Sequence, residues 1–312
     1  MEFGKYENVR QELSKDENML SNKIVAMSNQ LAKSQIRWTM TQKKLFVAVI
    51  SQLRWRKLGN STEIVILKKD VAEKLGVNYD STDLSRYLRN EFKKMVKKSF
   101  VEWENPFAEN EKDIEYECGF LFTNYRSTRN ECVVKINPEF MPHLEGLLNN
   151  YMFFLSEDVY NFKSGFSFDL YKHLQVLYDN RYFVNVKLFT TKQLKDIFGL
   201  SKEDYTNKKT KKFDRYNFEK YTIEVAVREI NESYKNGGMM HINKWEKKKV
   251  NGFVKGYVFE YVVRQKDAIS EGFASTVIEQ DEIEPDMQMT IDADGNTWYE
   301  PIDDKDILKG SE

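Results

Sequence analysis

Apolar residues recur at helical spacing in TQKKLFVAVISQL, where Leu45, Val49 and Leu53, with Phe46 and Ile50, form one stripe. Thr41 is the expected N-cap of that helix. EIVIL (63–67) is a short run of β-branched residues and predicts a strand. KKDVAEKLGV follows as a short helix that Gly76 would terminate. STDLSRYLRNEFKKMVKK predicts a longer helix, with Leu84, Leu88, Phe92 and Met95 on one face. FVEWE, IEYECGFLF and ECVVKI predict strands, the last two joined through TNYRSTRN. Helix, strand, helix, helix and β-hairpin is the order of a winged helix-turn-helix.

The pattern recurs further on. FSFDLYKHLQVLYD predicts a helix, NVKLF a strand, and TTKQLKDIFGL a helix ending at Gly199. A basic loop leads into a long helix at about 213–235, broken at Gly237-Gly238; there Ile223, Val227, Ile230 and Tyr234 form the core stripe. MMHINKW and FVKGYVFEYVV alternate like strands and are joined through EKKKVNG. Placing Gly76 on Gly199 aligns Val65 with Leu188, Ile66 with Phe189, Val71 with Leu194, Leu75 with Phe198 and Val77 with Leu200. Identity in this match is low, so it supports duplicated architecture more than sequence repetition. The fold class expected is α+β, with two tandem winged-helix domains and a disordered acidic C-terminal tail. The expected divisions are a flexible N-terminus (1–21), a first domain (22–155), a second (156–267) and the tail (268–312).

Charge sharpens this picture. The formal net charge of −1 conceals an asymmetry. Residues 268–312 hold 13 acidic and 2 basic side chains, whereas 207–266 hold 15 basic and 7 acidic. A basic body with an acidic tail is common among nucleic-acid-binding proteins. Lys208, Lys209, Lys211, Lys212 and Arg215 cluster at the head of the long helix, with Tyr216, Asn217 and Lys220 close by. A helix-turn-helix sets the start of its second helix against base edges while nearby cations hold phosphates. Cations there oppose the helix dipole, and a bound phosphate would remove the conflict. A solvated basic loop is the alternative. Lys244, Lys247, Lys248 and Lys249 are expected at the tip of the second hairpin, as a further backbone or minor-groove contact. In the first domain Ser85, Arg86, Arg89, Lys93 and Lys94 line the exposed side of the 82–98 helix, and Tyr125, Arg126 and Arg129 fall in the hairpin loop. That surface would serve phosphates or a second subunit.

The chain lacks enzyme signatures. It has no P-loop, and His143, His173 and His241 are far apart, with no His-x-His or His-Glu-x-x-His motif. Cys118 and Cys132 form neither a disulfide framework nor a zinc set and suit a reducing cytoplasm. Neither a membrane span nor a signal-peptide core is expected, and no cofactor or metal is implied.

With both patterns placed, the chain resembles the iteron-binding replication initiators (Rep proteins) of theta-replicating plasmids. NKIVAMSNQL followed by TMTQKKLFVAVISQL is similar to that family's first helices. FEKYTIEVAVREIN, with Ala226, Glu229, Ile230 and Asn231, resembles its C-terminal recognition segment. The resemblance covers about 22–265. Lys44 departs from it, standing where the family often has a glutamate, and would lose a capping box. The resemblance implies an origin-binding protein without catalytic chemistry, in which the second domain reads DNA. The first would dimerise and touch the backbone. Monomers would bind origin repeats of double-stranded DNA and help melt an AT-rich region, dimers would repress the protein's own promoter, and host replication proteins, including the replicative helicase, would be recruited. Two other readings stay open: a two-winged-helix transcriptional regulator that never opens DNA, and a protein-interaction scaffold whose basic faces dock the acidic tail.

Overall fold

The computed structural model describes residues 24–34, 36–53, 59, 61–79, 83–103, 117–147, 151–207, 209–264, 287–291 and 297–301. The N-terminal stretch 1–21, Lys208 and most of the acidic tail lie outside the described residues. Within the tail, Met287–Ile291 pairs antiparallel with Thr297–Pro301.

NKIVAMSNQL departs from the helix its resemblance implied. Ile24–Ser28 is a strand (β1), and only Asn29–Lys33 is helical (α1). β1 pairs antiparallel with Tyr151–Leu155 (β7), Ile24 opposite Leu155 and Ser28 opposite Tyr151. Val25, Ala26 and Met27 are buried, as a strand covered on both faces requires.

The next helix, Met40–Ile50 (α2), is capped by Thr39 and not by Thr41. The Thr39 hydroxyl accepts from the Gln42 backbone N–H, and the Gln42 side chain accepts from the Thr39 N–H. This reciprocal box satisfies two otherwise orphaned donors. The box expected to be missing at Lys44 is therefore present two residues earlier, with glutamine in the acid's place. Leu45 through Ile50 are all buried, because α2 lies between elements of both modules. A helix that is apolar on every side needs such a position.

The first module continues with Glu63–Leu67 (β2), Lys68–Leu75 (α3), Leu84–Lys97 (α4), Phe100–Trp103 (β3), Glu117–Phe120 (β4), Phe122–Ser127 (β5) and Glu131–Ile136 (β6). Its three-stranded sheet runs β2-β6-β5, while β3 and β4 form a separate pair. The chain breaks at the buried Leu121, so IEYECGFLF is not one strand. Asn124–Ser127, read as loop, belong to β5. Tyr125 pairs with Val134 across the hairpin and stacks on Phe92 at 4.9 Å between ring centroids.

After β7 come Ser156–Asn161 (α5), Gly165–Val176 (α6), Asn185–Thr190 (β8) and Thr191–Ile197 (α7). The long helix spans 215–235 (α8), followed by Met240–Val250 (β9) and Phe253–Val263 (β10). Its sheet order, β8-β10-β9, repeats that of the first module. Gly76 and Gly199 occupy matching left-handed positions after α3 and α7, at φ 66° and 64°. The duplicated architecture is thus seen in topology and in helix termination.

Two carboxylates tie α8 to its surroundings. Asp158 accepts from Ser233 Oγ (2.7 Å), Tyr171 OH (2.8 Å) and the Met239 N–H (3.1 Å). Burial raises its pKa against these bonds. A methyl group on Gly238 would collide with this carboxylate, so the backbone approaches too closely for a side chain. Glu229 accepts from the N–H groups of Lys163 and Ser164 and from Ser167 Oγ, at 3.0, 2.9 and 2.6 Å. It thereby meets the start of α6, where a negative charge is favoured.

Candidate nucleic-acid interface

The basic stretch before α8 is a tied turn. Thr206 and Phe213 form a bridge, Asn207 N–H donates to the Lys212 carbonyl (2.8 Å), and Lys211 N–H donates to the Asn207 carbonyl (2.8 Å). Asn207 Oδ1 accepts from the N–H groups of Lys209 and Thr210. Phe213 and Tyr205 pack on the buried Phe218, at 5.4 and 5.7 Å between centroids. Lys209, Lys211 and Lys212 project from this base into solvent. Less chain entropy is left to lose when an anion docks on such a turn than on a free loop.

Asp214 modifies the electrostatic argument made from sequence. It is the N-cap of α8, and its carboxylate accepts from the Asn217 N–H (3.1 Å) and Nδ2 (2.6 Å). The helix start is therefore complemented by one acid, and the case for an anion rests on the excess of cations around it. Asn217 has its amide held by this cap, which counts against it as a base reader. Arg215 is half-buried against Tyr257.

Residues 219–223 form a π-helical turn between the α-helical 215–218 and 224–235. Such turns are rare and recur at functional sites. Here the wider turn sets which side chains face out: Tyr216 (66% exposed), Lys220, Tyr221 (53% exposed) and Arg228. Lys220 Nζ sits 5.4 Å from the Tyr216 ring and 5.6 Å from the Tyr221 ring. The neighbouring Tyr216 hydroxyl raises the lysine above its ordinary pKa, so it stays charged. A cation lying over two exposed aromatic rings can meet both a phosphate and the face or edge of a base. Tyr221 and Arg228 were not singled out in the sequence, because their facing depends on the π turn.

The lysines of KWEKKKVNG are on strand β9 and not at a tip; the turn is only Asn251-Gly252. Lys247 pairs at 2.6 Å with the buried Glu219, which also accepts from Tyr257 OH (2.9 Å). It is a strut between hairpin and helix. Lys244 pairs with Glu246 at 2.8 Å. Lys248 and Lys249 are exposed, and as strand neighbours they face opposite ways.

In the first module three of the corresponding cations have local acids. Arg86 pairs with Asp83 (3.1 Å), Lys94 with Glu91 (2.7 Å), and Arg126, on β5, with Glu63 (3.2 Å). Ser85 is half-buried and accepts from Lys68 Nζ (3.1 Å). Arg89, Lys93 and Arg129 are exposed. Among the described residues no helix is long and apolar enough to cross a membrane.

Residues 24–175 match the family model described as Initiator Replication protein, WH1. No curated protein matches the sequence. The crystal structure of Pi initiator protein in complex with iteron DNA superimposes with a TM-score of 0.61 at 15% identity, covering 78% of this chain and 99% of that one. Two structures of RctB domains 2 and 3 cover 72% and 74% of this chain, at 10% and 11% identity, with TM-scores of 0.40 and 0.39. The likeness to Pi shows a common fold. The family match is thus to residues 24–175, just under half of the chain, which take in the first winged-helix module and the helix opening the second.

Proposed function

We propose that this protein initiates plasmid replication by binding repeated double-stranded sites in an origin, helping to melt an adjacent AT-rich segment and recruiting host replication proteins, among them the replicative helicase. In this reading residues 156–267 bind DNA in sequence-specific fashion, while 22–155 dimerise and add backbone contacts. The dimer, in equilibrium with the monomer, represses the protein's own promoter. The work is done in the cytoplasm by binding energy, without a catalytic step or cofactor.

The observation that carries this reading is the surface of α8 and its preceding turn. Lys209, Lys211, Lys212 and Lys220 are exposed there, and Tyr216 and Tyr221 flank Lys220. A fold shared with a protein solved on iteron DNA adds support. Multiple phosphate contacts can offset the cost of bending and opening a duplex.

Selection from random duplexes by the purified protein tests the reading. The expected product is a long asymmetric motif. Permanganate probing of that site beside an AT-rich segment then separates initiator from regulator: the initiator renders thymines reactive, whereas a regulator leaves them stacked. Weak binding without any motif would overturn the DNA-reading assignment.

A further inference from the structure

The end of the β9–β10 hairpin carries a second kind of chemistry. Asn251 and Gly252, at φ 50° and 78°, form the two-residue turn whose twist suits a hairpin. The pair closing this turn is Val250 opposite Phe253. Both side chains are exposed, Val250 at 45% and Phe253 at 72%. As a directly opposed pair they lie on one face of the hairpin end, so together they form one small apolar projection.

Its surroundings are cationic. The stretch 247–257, KKKVNGFVKGY, contains four lysines and no acid. By strand alternation Val250 shares its face with Lys248, while Lys249 and Lys247 take the other. Lys247 is drawn to Glu219 on that second face. A register shift between Val254 and Gly256 displaces Lys255 from the regular ladder. A methyl group on Gly256 would meet the backbone of Phe189, which fixes β10 closely to β8 and leaves the projecting end held from its base. Two apolar side chains ringed by lysines are too small an area for a hydrophobic protein interface. They match a polyanion with an apolar interior, which is duplex DNA.

We propose that Val250 and Phe253 form an apolar wedge that enters the minor groove beside the site read by α8, separates one base step and bends the duplex. The proposal rests on the DNA-binding reading above and deepens it, by naming the part of the protein that deforms DNA. Minor-groove proteins use Phe and Leu in this way, with bends of about 20–90°. Lys248, Lys249 and Lys255 would hold the phosphates on either side.

The test uses the full chain and a duplex bearing the selected site, with 2-aminopurine placed in turn at each step flanking it and a dye pair at its ends. Wild type is expected to brighten one position several-fold and to shorten the end-to-end distance. Phe253→Ala should abolish both signals while keeping preference for the site over random DNA, and Phe253→Leu should keep much of both. Because the side chain is exposed, the urea midpoint of each variant should match wild type. Unchanged brightening and bending in Phe253→Ala would overturn the wedge and leave the binding reading standing. A shift of the free protein from dimer to monomer in Phe253→Ala would overturn it too, and would assign the hairpin end to contact between copies. Failure of wild type to prefer any site would remove the binding reading, and the wedge with it.

Discussion

The helices α4 and α8 occupy the same place in two copies of one topology, yet their cations are spent differently. On and around α4, Arg86, Lys94 and Arg126 each have an acid within 3.2 Å. Around α8, Lys209, Lys211 and Lys212 stand on a tied turn with no ion pair among the described residues, and Lys220 lies over tyrosines. Exposed pairs contribute little to stability, roughly 0–1 kcal/mol each, so the acids near α4 add little to the fold. Their larger effect is on the field outside the protein. A cation with a local acid offers a phosphate less attraction, and it releases fewer counterions on binding. The two modules share a scaffold, and they differ in where local acids offset exposed cations: at Arg86, Lys94 and Arg126 in the first, but not at Lys209, Lys211 and Lys212 in the second.

The largest expected effect is on binding. Counterion release at ~0.1 M salt contributes about 0.9 log units of affinity per phosphate contact. Lys209→Ala, Lys211→Ala and Lys212→Ala combined should therefore weaken site binding by ~10²–10³-fold, as read by fluorescence anisotropy. The matching change in the first module, Arg86→Ala with Lys94→Ala, should cost under ~3-fold. Equal losses would break the contrast between the modules.

The next prediction concerns Glu219, which ties α8 to the second hairpin. Glu219→Ala leaves the buried Tyr257 hydroxyl without its acceptor and releases Lys247. Stability should fall by about 1–3 kcal/mol in urea unfolding, with the hairpin's amides exchanging faster. Unaltered hairpin protection would mean that the strut does not position β9.

How much of this contrast is legible in the sequence depends on the range of the interaction. Helices α2, α4 and α7 show their apolar spacing locally, and Gly76 and Gly199 mark real helix ends. The strand β1 is not legible, since its partner β7 lies across the whole first module. Lysine is disfavoured in strands, so Lys247–Lys249 suggest a loop; ladder pairing with 254–257 overrides that preference. The pairing of Lys247 with Glu219 joins residues on different elements, and nothing local announces it. The facing of Tyr216, Asn217, Lys220 and Tyr221 depends on a π turn that helical spacing at 3.6 residues cannot predict.

A third prediction asks whether the two modules fail together. His173, on α6, is held by burial, with Lys172 beside it, at a pKa of about 3. An unfolded histidine titrates near 6.5, so below that pH the unfolded chain takes up a proton the folded one refuses. Stability should therefore fall as pH drops from 7 to 5, by up to ~2 kcal/mol from this residue. His173→Gln should remove its share of that dependence and leave the share of the buried His143, held at about 4. The buried residues of both modules form one cluster, so acid unfolding should be a single transition by tryptophan fluorescence and far-UV circular dichroism. Two separated transitions would show that the modules are energetically independent.

The smallest effect expected is at Tyr216. Its removal takes one exposed ring from the α8 surface, and Tyr216→Ala should reduce affinity by about 5–30-fold if that ring stacks on a base. Its counterpart in exposure on α4, Tyr87, should tolerate alanine with less than a ~2-fold change.

The most direct measurement is the slope of log affinity against log salt, taken side by side for wild type and for the combined Lys209, Lys211 and Lys212 alanine variant on the selected site. If these three side chains hold phosphates, the variant's slope is shallower by about 2.7, at 0.9 per contact. A slope unchanged by their removal, with the protein still folded, would contradict the claim that the basic turn before α8 is the DNA-binding surface.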